Sequence, residues 1–210
     1  MRHGRTAWNA DRRFQGHTDI PLDDEGRAQA AALATLLRDD RIDVAVSSDL
    51  SRAAETARIV LGARDVALRL DADWREMRFG SWEGLNWDEI TARTPELDPA
   101  QAATVRAFAP PGGEDYDQLC VRIARATSRI QAELAGGGTA LIATHAGPLH
   151  ALLRNLLGES AAEALNVRFL TGSVTRFRRT EGGWELDALN ETAAGQDLQA
   201  ADSPARKPSA

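Results

Sequence analysis

The sequence predicts an α/β fold, a parallel or mixed sheet covered by helices on both faces. Two observations carry this. Short apolar runs of strand length, "IDVAVSS" (42–48) and "TALIATH" (139–145), alternate with longer segments whose apolar residues recur at helical spacing. Strands joined through crossover helices pair in parallel and lie buried on both sides, so they read as near-continuous apolar runs.

The first predicted helix spans 23–38, with an Asp available as its cap and Ala30, Leu33, Ala34 and Leu37 along one face. Strand 42–48 follows and runs into "DLSRAAETARIVLG", where Asp49 is the expected N-cap and Ala53, Ala57 and Val60 share a face. "VALRL" (66–70) is a second strand. Residues 114–134 carry a long stripe at Leu119, Ile123, Ala126, Ile130 and Leu134, which predicts a helix. After strand 139–145, "GPLHALLRNLLG" is a helix ended by Gly158. "SVTRFRR" and "WELDALN" flank residues 180–183, whose two glycines suit a hairpin turn. Residues 193–210 are small and polar without period, so a disordered tail is expected after a single domain over 1–192.

A chain of 210 residues, 43% hydrophobic and 27% charged, has the length and composition for one substantial core. Its net charge of −6 argues against nucleic acid or an anionic membrane as the main partner. No apolar run approaches the ~20 residues of a membrane span, and the N-terminus lacks a signal peptide's apolar core, so a cytoplasmic location is expected. The single cysteine, Cys120, excludes an internal disulfide and any cysteine-based zinc cluster, and reads as inert core filler. Lys207, in the tail, is the only lysine, which excludes a P-loop lysine or a Schiff-base mechanism in the folded body.

Against this acidic background, residues 1–13 carry Arg2, Arg5, Arg12 and Arg13 against the single acid Asp11, so an anion is expected to dock locally. In an open α/β sheet, ligands lie beyond the carboxyl ends of the strands. Arg52 falls in the first turn of the helix after strand 42–48, and His145 ends strand 139–145. Arginines and histidines converging from separate strand ends describe a pocket for phosphate, whose oxygens want bidentate, permanently charged donors. Two other phosphatase chemistries fail on spacing. Cysteine-dependent phosphatases need Cys-x5-Arg, but Ala126 stands six places after Cys120, with arginines at 122 and 125. "LRLDADWR" places Asp71 and Asp73 as an Asp-x-Asp-x-Thr/Val motif would, but Arg75 occupies its fifth position, leaving the two aspartates as turn residues.

"RHGRTAWN", "SSDLSRAAETA", "WREMRFGSWEG", "PPGGEDY" and "THAGPLHALL" resemble, in order and spacing, the blocks of the histidine phosphatase superfamily. The resemblance runs from Met1 to about Thr192. It implies a three-layer α/β/α sandwich of the phosphoglycerate-mutase-like kind, with a mainly parallel central sheet. It further implies His3 as a nucleophile forming phosphohistidine, with Arg2, Arg52 and His145 holding the phosphoryl oxygens and Asn9 adding a hydrogen bond. Glu76 would protonate the leaving alcohol and later take a proton from water, with Glu83 as its rival. Gln15, Gly16 and Thr18 would make rim contacts to the substrate. His17 and His150 read as ordinary turn and helix residues.

The expected activity is hydrolysis of a small phosphorylated metabolite without a cofactor or metal, the arginines supplying the positive charge; a homodimer is left open. The alternatives are a phosphoglycerate mutase or a phospho-ligand binding protein. Only about 25 residues separate "GSWEG" from "PPGG", too few for the long insertion of the glycolytic mutases, which favours hydrolysis. Specificity is expected in loops such as 85–112, with Trp82, Trp87 and Phe108 as candidate mouth residues. Three departures from the family pattern stand out: Arg5 replaces the usual Glu or Gln, Ala146 follows His145, and arginines crowd the mouth. In the family a central strand leads into Arg-His-Gly, and here the motif begins at residue 2, so a gapped sheet, a loosely held His3 and a natural start further upstream are expected.

Overall fold

The computed structural model describes residues 1–94 and 109–196. Its centre is strand β1 (Val44–Ser47), flanked by β2 (Leu68–Leu70) and β3 (Ala140–Ala143), both parallel to it. Every residue of β1 is buried, as a parallel strand covered on both faces requires. The two-residue period of the strand sends Val44 and Val46 to one face and Ala45 to the other. Helices α2 (Asp24–Leu36) and α3 (Ser51–Leu61) cover the Ala45 face through Leu33, Ala57 and Val60. On the opposite face lie α4 (Trp87–Arg93), α5 (Tyr116–Glu133) and α6 (Ala146–Leu157), packed through Ile90, Leu119, Ile123 and Leu152. The predicted three-layer α/β/α arrangement is therefore present.

A second, antiparallel sheet of β4 (Val174–Thr180), β5 (Gly183–Thr192) and β6 (Gly195–Gln196) follows the short helix α7 (Glu159–Leu165). The predicted hairpin is the β4–β5 pair, closing at Thr180 and Gly183. Pairing of β6 with Glu191 and Thr192 corrects the expectation of an unstructured tail from 193; positions 197–210 fall outside the described residues. Asp49 is not the cap of α3. That position is Leu50, without a side-chain cap bond, because the Asp49 carboxylate instead takes two bonds from Arg75, at 2.7 and 2.5 Å.

The two sheets meet across residues 1–3. On one side, the Met1 amino group donates to Ile142 O (2.7 Å), Thr144 N to Met1 O and His3 N to Thr144 O (both 3.0 Å). On the other, Arg2 N donates to Ser173 O (3.0 Å) and Gly172 N to His3 O (2.9 Å). β3 and β4 are thus joined only through this short bridge among the described residues. His3 is nevertheless held by its own backbone on both sides and is only 2% exposed, which corrects the expectation that it would be loosely fixed.

The chain leaving His3 is seated against the start of α2 by two glycines. A Cβ on Gly26 would stand 2.0 Å from Arg5 O, and one on Gly4 would stand 2.3 Å from Gly26 O. In an unhindered helix, Ala would be favoured over Gly by about 0.5–1 kcal/mol. Here the backbone contact outweighs that preference, because an added methyl that cannot be accommodated costs about 1–3 kcal/mol. Gly26→Ala is accordingly expected to lower stability by about 2 kcal/mol, measured by urea unfolding; an unchanged or raised unfolding midpoint would contradict this packing.

Candidate active site

Three strand ends and the bridge at residues 1–3 deliver the site. His3 is the last residue of the bridge, and Ser48 and Arg52 follow β1. Glu76 lies beyond β2 and the 3-10 turn Ala72–Trp74, and His145 is the N-cap of α6 after β3. The rings of His3 and His145 lie 5.0 Å apart between centroids, so the two motifs share one centre.

The hydrogen bonds fix both imidazole tautomers. His3 Nδ1 lies 2.7 Å from Gly4 O; a carbonyl only accepts, so Nδ1 carries the hydrogen and the neutral ring keeps its lone pair on Nε2. Arg52 Nε donates to His145 Nδ1 (3.2 Å), which puts the His145 hydrogen on Nε2, 2.9 Å from Ser48 Oγ. Burial, reinforced by the charges of Arg52 and Arg2, holds His3 well below the ordinary histidine value of 6.5. Burial and Arg52 do the same to His145. Both rings are therefore neutral at physiological pH.

Arg52 is fully buried, and its three nitrogens donate to His145, Thr18 O (2.9 Å) and Gly16 O (2.8 Å). Desolvation lowers its pKa to about 10, which still leaves it charged. A guanidinium has five donors, so two N–H groups remain for a ligand. Arg2 gives one bond to Phe169 O (2.6 Å), while its buried Nε has no partner. Asn9 uses its amide oxygen to accept from Thr6 N (3.1 Å) and Thr6 Oγ1 (3.0 Å) in the capping box of α1 (Ala7–Ala10), so what it can offer a ligand is its amide donors.

Burial resolves the two candidate acids. Glu76 is pushed above its ordinary 4.5 by desolvation, against the opposing pull of its backbone hydrogen bonds and of Arg2 and Arg52. Its Oε1 accepts from Met77 N (2.8 Å) and Gly147 N (3.0 Å), leaving Oε2 to carry a proton. Gly147 is required here, because a Cβ would stand 2.3 Å from that oxygen. Glu83 has the opposite fate. Desolvation pushes it up, but donors from Thr18 Oγ1 and the amides of His17, Phe79 and Thr18 outweigh it and hold it below its ordinary value. Glu83 is a fixed anion, and Glu76 is the group able to hold and release a proton.

The turn holding Gln15, Gly16 and Thr18, expected to make rim contacts, is packed against Arg52. Gln15 is buried, Gly16 adopts φ +54°, and Gly16 and Thr18 give their carbonyls to Arg52. Thr18 in turn is held by Glu83, so the 16–18 turn is the platform that aims Arg52. His17, expected as a plain turn residue, places its Nε2 3.0 Å from Glu76 O, beside the acid. Trp82 is 6% exposed and packs in the core, and Trp87 packs beside it, with Phe14 meeting both rings, so neither tryptophan stands as an open mouth residue. Phe108 lies outside the described residues. Cys120 is buried, as expected of filler.

One clamp escaped sequence analysis. Arg122 on α5 donates to Asp73 O (2.7 Å), Arg75 O (2.9 Å) and Glu76 O (3.2 Å), and is itself gripped by both oxygens of Glu114 (2.9 and 2.7 Å). The side chains of this pair are only 14% and 12% exposed. Removing one partner of a buried pair strands the other charge, at about 3–5 kcal/mol. Arg122→Met is therefore expected to cost about 3–5 kcal/mol in urea unfolding, with part of the loss recovered in Arg122→Met/Glu114→Met. A single variant within 0.5 kcal/mol of the parent, the scale of an unimportant surface change, would refute the clamp.

Comparison with known proteins agrees with this geometry. The family model described as "Histidine phosphatase superfamily (branch 1)" matches residues 1–192. The chain is 36% identical to phosphoglycerate mutase-like protein 4 of Arabidopsis thaliana, over 92% of this chain and 84% of that one. It is 34% identical to the adenosylcobalamin/alpha-ribazole phosphatase of Salmonella typhimurium, over 92% and 95%. Among solved structures, a mycobacterial glucosyl-3-phosphoglycerate phosphatase complexed with VO3 superposes with a TM-score of 0.80 at 30% identity, covering 90% of this chain and 96% of that one. The alpha-ribazole phosphatase of Shigella flexneri superposes with a TM-score of 0.81 at 30% identity, covering 90% and 94%. With a buried histidine pair, flanking arginines and a raised carboxyl assembled as in that family's motif order, the chain belongs to the histidine phosphatase superfamily, branch 1.

Proposed function

We propose that the protein hydrolyses a small-molecule phosphate monoester through a phosphohistidine on His3. The observation that carries this is the opposed tuning of two groups in one buried centre: burial and the neighbouring arginines hold His3 low with its lone pair on Nε2, and burial holds the Glu76 carboxyl above its ordinary value. The phosphatase names of two relatives support the same direction.

In the first step, His3 Nε2 attacks phosphorus and the bond to the ester oxygen breaks. Glu76 Oε2 passes its proton to the departing alkoxide, giving a neutral alcohol and a carboxylate. Arg2 and Arg52 stabilise the charge on the three transferring oxygens, which is where such a loose transition state concentrates it. His145 abuts the same centre and helps to aim Arg52. In the second step, water attacks phosphorus, Glu76 takes its proton, and the P–N bond breaks to return neutral His3 and release phosphate.

Catalysis then needs His3 unprotonated and Glu76 protonated. Lowering the pH removes the nucleophile, at a point well below 6.5 because His3 is depressed. Raising the pH removes the acid, at a point above 4.5 because Glu76 is raised. For an alkyl phosphate, Glu76→Gln is expected to lower kcat/KM by roughly 10²–10⁴ and to abolish the alkaline limb, with a much smaller loss on 4-nitrophenyl phosphate, whose leaving group needs no proton. Glu83→Gln is expected to keep that limb. A lost limb in the Glu83 variant and a retained one in the Glu76 variant would reverse the assignment.

Rapid acid-free quench with 32P-labelled substrate tests the intermediate. An acid-labile, alkali-stable label mapping to His3 is expected, unaffected by EDTA and absent in His3→Ala. Phosphate release that survives His3→Ala would remove His3 from the mechanism.

A further inference from the structure

Arg2 belongs to two places at once. Its charge acts on His3 and His145, and with Asn9 it also lines a pocket of about 540 Å³ whose other walls include Arg5 on the turn into α1, Gln29 on α2, Arg168 before β4 and Thr192 at the end of β5. His3, Arg52, Glu76 and His145 do not line it. Among the described residues, three arginines and no carboxylate line this pocket, in a chain whose net charge is −6.

The three charges are not equally available. Arg5 is answered by Asp23 and Glu25. Arg168 is exposed and has no ion-pair partner among the described residues. Arg2 keeps a buried, unpartnered Nε. Its guanidinium is lowered by burial and, despite the opposing pull of Glu76, by the charge of Arg168, so these two cations repel each other across the pocket. An oxyanion between them would relieve that repulsion.

We propose that this pocket binds a second oxyanion group of the substrate, so that phosphate esters carrying a further phosphate are preferred over those ending in a neutral group. This rests on the phosphatase function proposed above. Sharing of Arg2 sets the two anions about one arginine apart, which suits a compact tethered pair. Once the scissile phosphoryl group is seated, the second group arrives at high effective concentration and its binding loses little further freedom. Arg5 stands where the resemblance expects Glu or Gln, so although its charge is paired it keeps a carboxylate out of this wall.

Initial rates on butane-1,4-diol monophosphate and bisphosphate test this, because in both the leaving oxygen is that of a primary alkoxide four carbons from the far group. After correction for its two equivalent phosphates, the bisphosphate is expected to show a kcat/KM higher by about ten- to a hundredfold, the range of one charge-assisted hydrogen bond. Arg168→Gln is expected to lower that ratio about tenfold, and Arg168→Glu to bring it to unity or below. Equal kcat/KM for the two esters in the parent protein, or a ratio unchanged in both variants, would overturn the pocket assignment while leaving the phosphatase intact. No turnover of either ester, nor of 4-nitrophenyl phosphate, would instead overturn the function on which it rests.

Discussion

Arg52 is a full positive charge with no exposed surface and, among the described residues, no carboxylate in hydrogen-bonding contact. Burying an ion is tolerable only when its donors are satisfied and some negative potential reaches it. Two backbone carbonyls and one imidazole provide the first condition, and the more distant Asp19 and Glu83, with Glu76 whenever it is ionised, provide part of the second. The rest is left for a ligand. Much of the local structure exists to sustain this arrangement. The 16–18 turn presents its carbonyls to Arg52, Glu83 pins that turn, and Gly16 adopts a left-handed conformation where a Cβ would strike the Glu83 carboxylate at 2.1 Å.

From that charge the protonation states follow. Arg52 and Arg2 sit close enough to both histidines to add to the effect of burial, so neither ring holds a second proton. The same charges stabilise Glu76 as an anion, yet desolvation outweighs them and the carboxyl stays raised. Two glutamates seven residues apart thereby acquire opposite roles. Glu83 is surrounded by donors that reward its charge, whereas Glu76 offers one oxygen to two amides and keeps the other in a site that disfavours ionisation. Position in a sequence block does not separate them; the count of donors around each does.

The elements with strong local signals were legible in the sequence. Asp115 caps α5 through a box with Gln118, and the stripe from Leu119 to Ile130 is buried as its spacing predicts. His3, Arg52, Glu76 and His145 were legible as parts of motifs; Arg52 and His145 follow β1 and β3 directly, Glu76 follows β2 after one 3-10 turn, and His3 closes the bridge at residues 1–3. Features made by long-range contacts were not. Asp49 has the chemistry of a cap, but Arg75, 26 residues away, captures it. Thr18 and Gly16 look like surface turn residues until Arg52 is placed against them. Arg122 gives no local sign that three carbonyls around Glu76 converge on it, and the Arg2–Arg168 pocket joins residues more than 160 positions apart.

All of this requires that His3, Arg2, Arg52 and His145 surround one tetrahedral anion. A crystal structure of the full chain with orthovanadate bound examines that requirement most directly. The expected result is vanadium bonded to His3 Nε2, with its oxygens taking hydrogen bonds from Arg2 and Arg52 and lying against His145. Vanadate held away from His3, with the 3–145 histidine pair unchanged and Arg52 still turned wholly to the protein, would contradict the account.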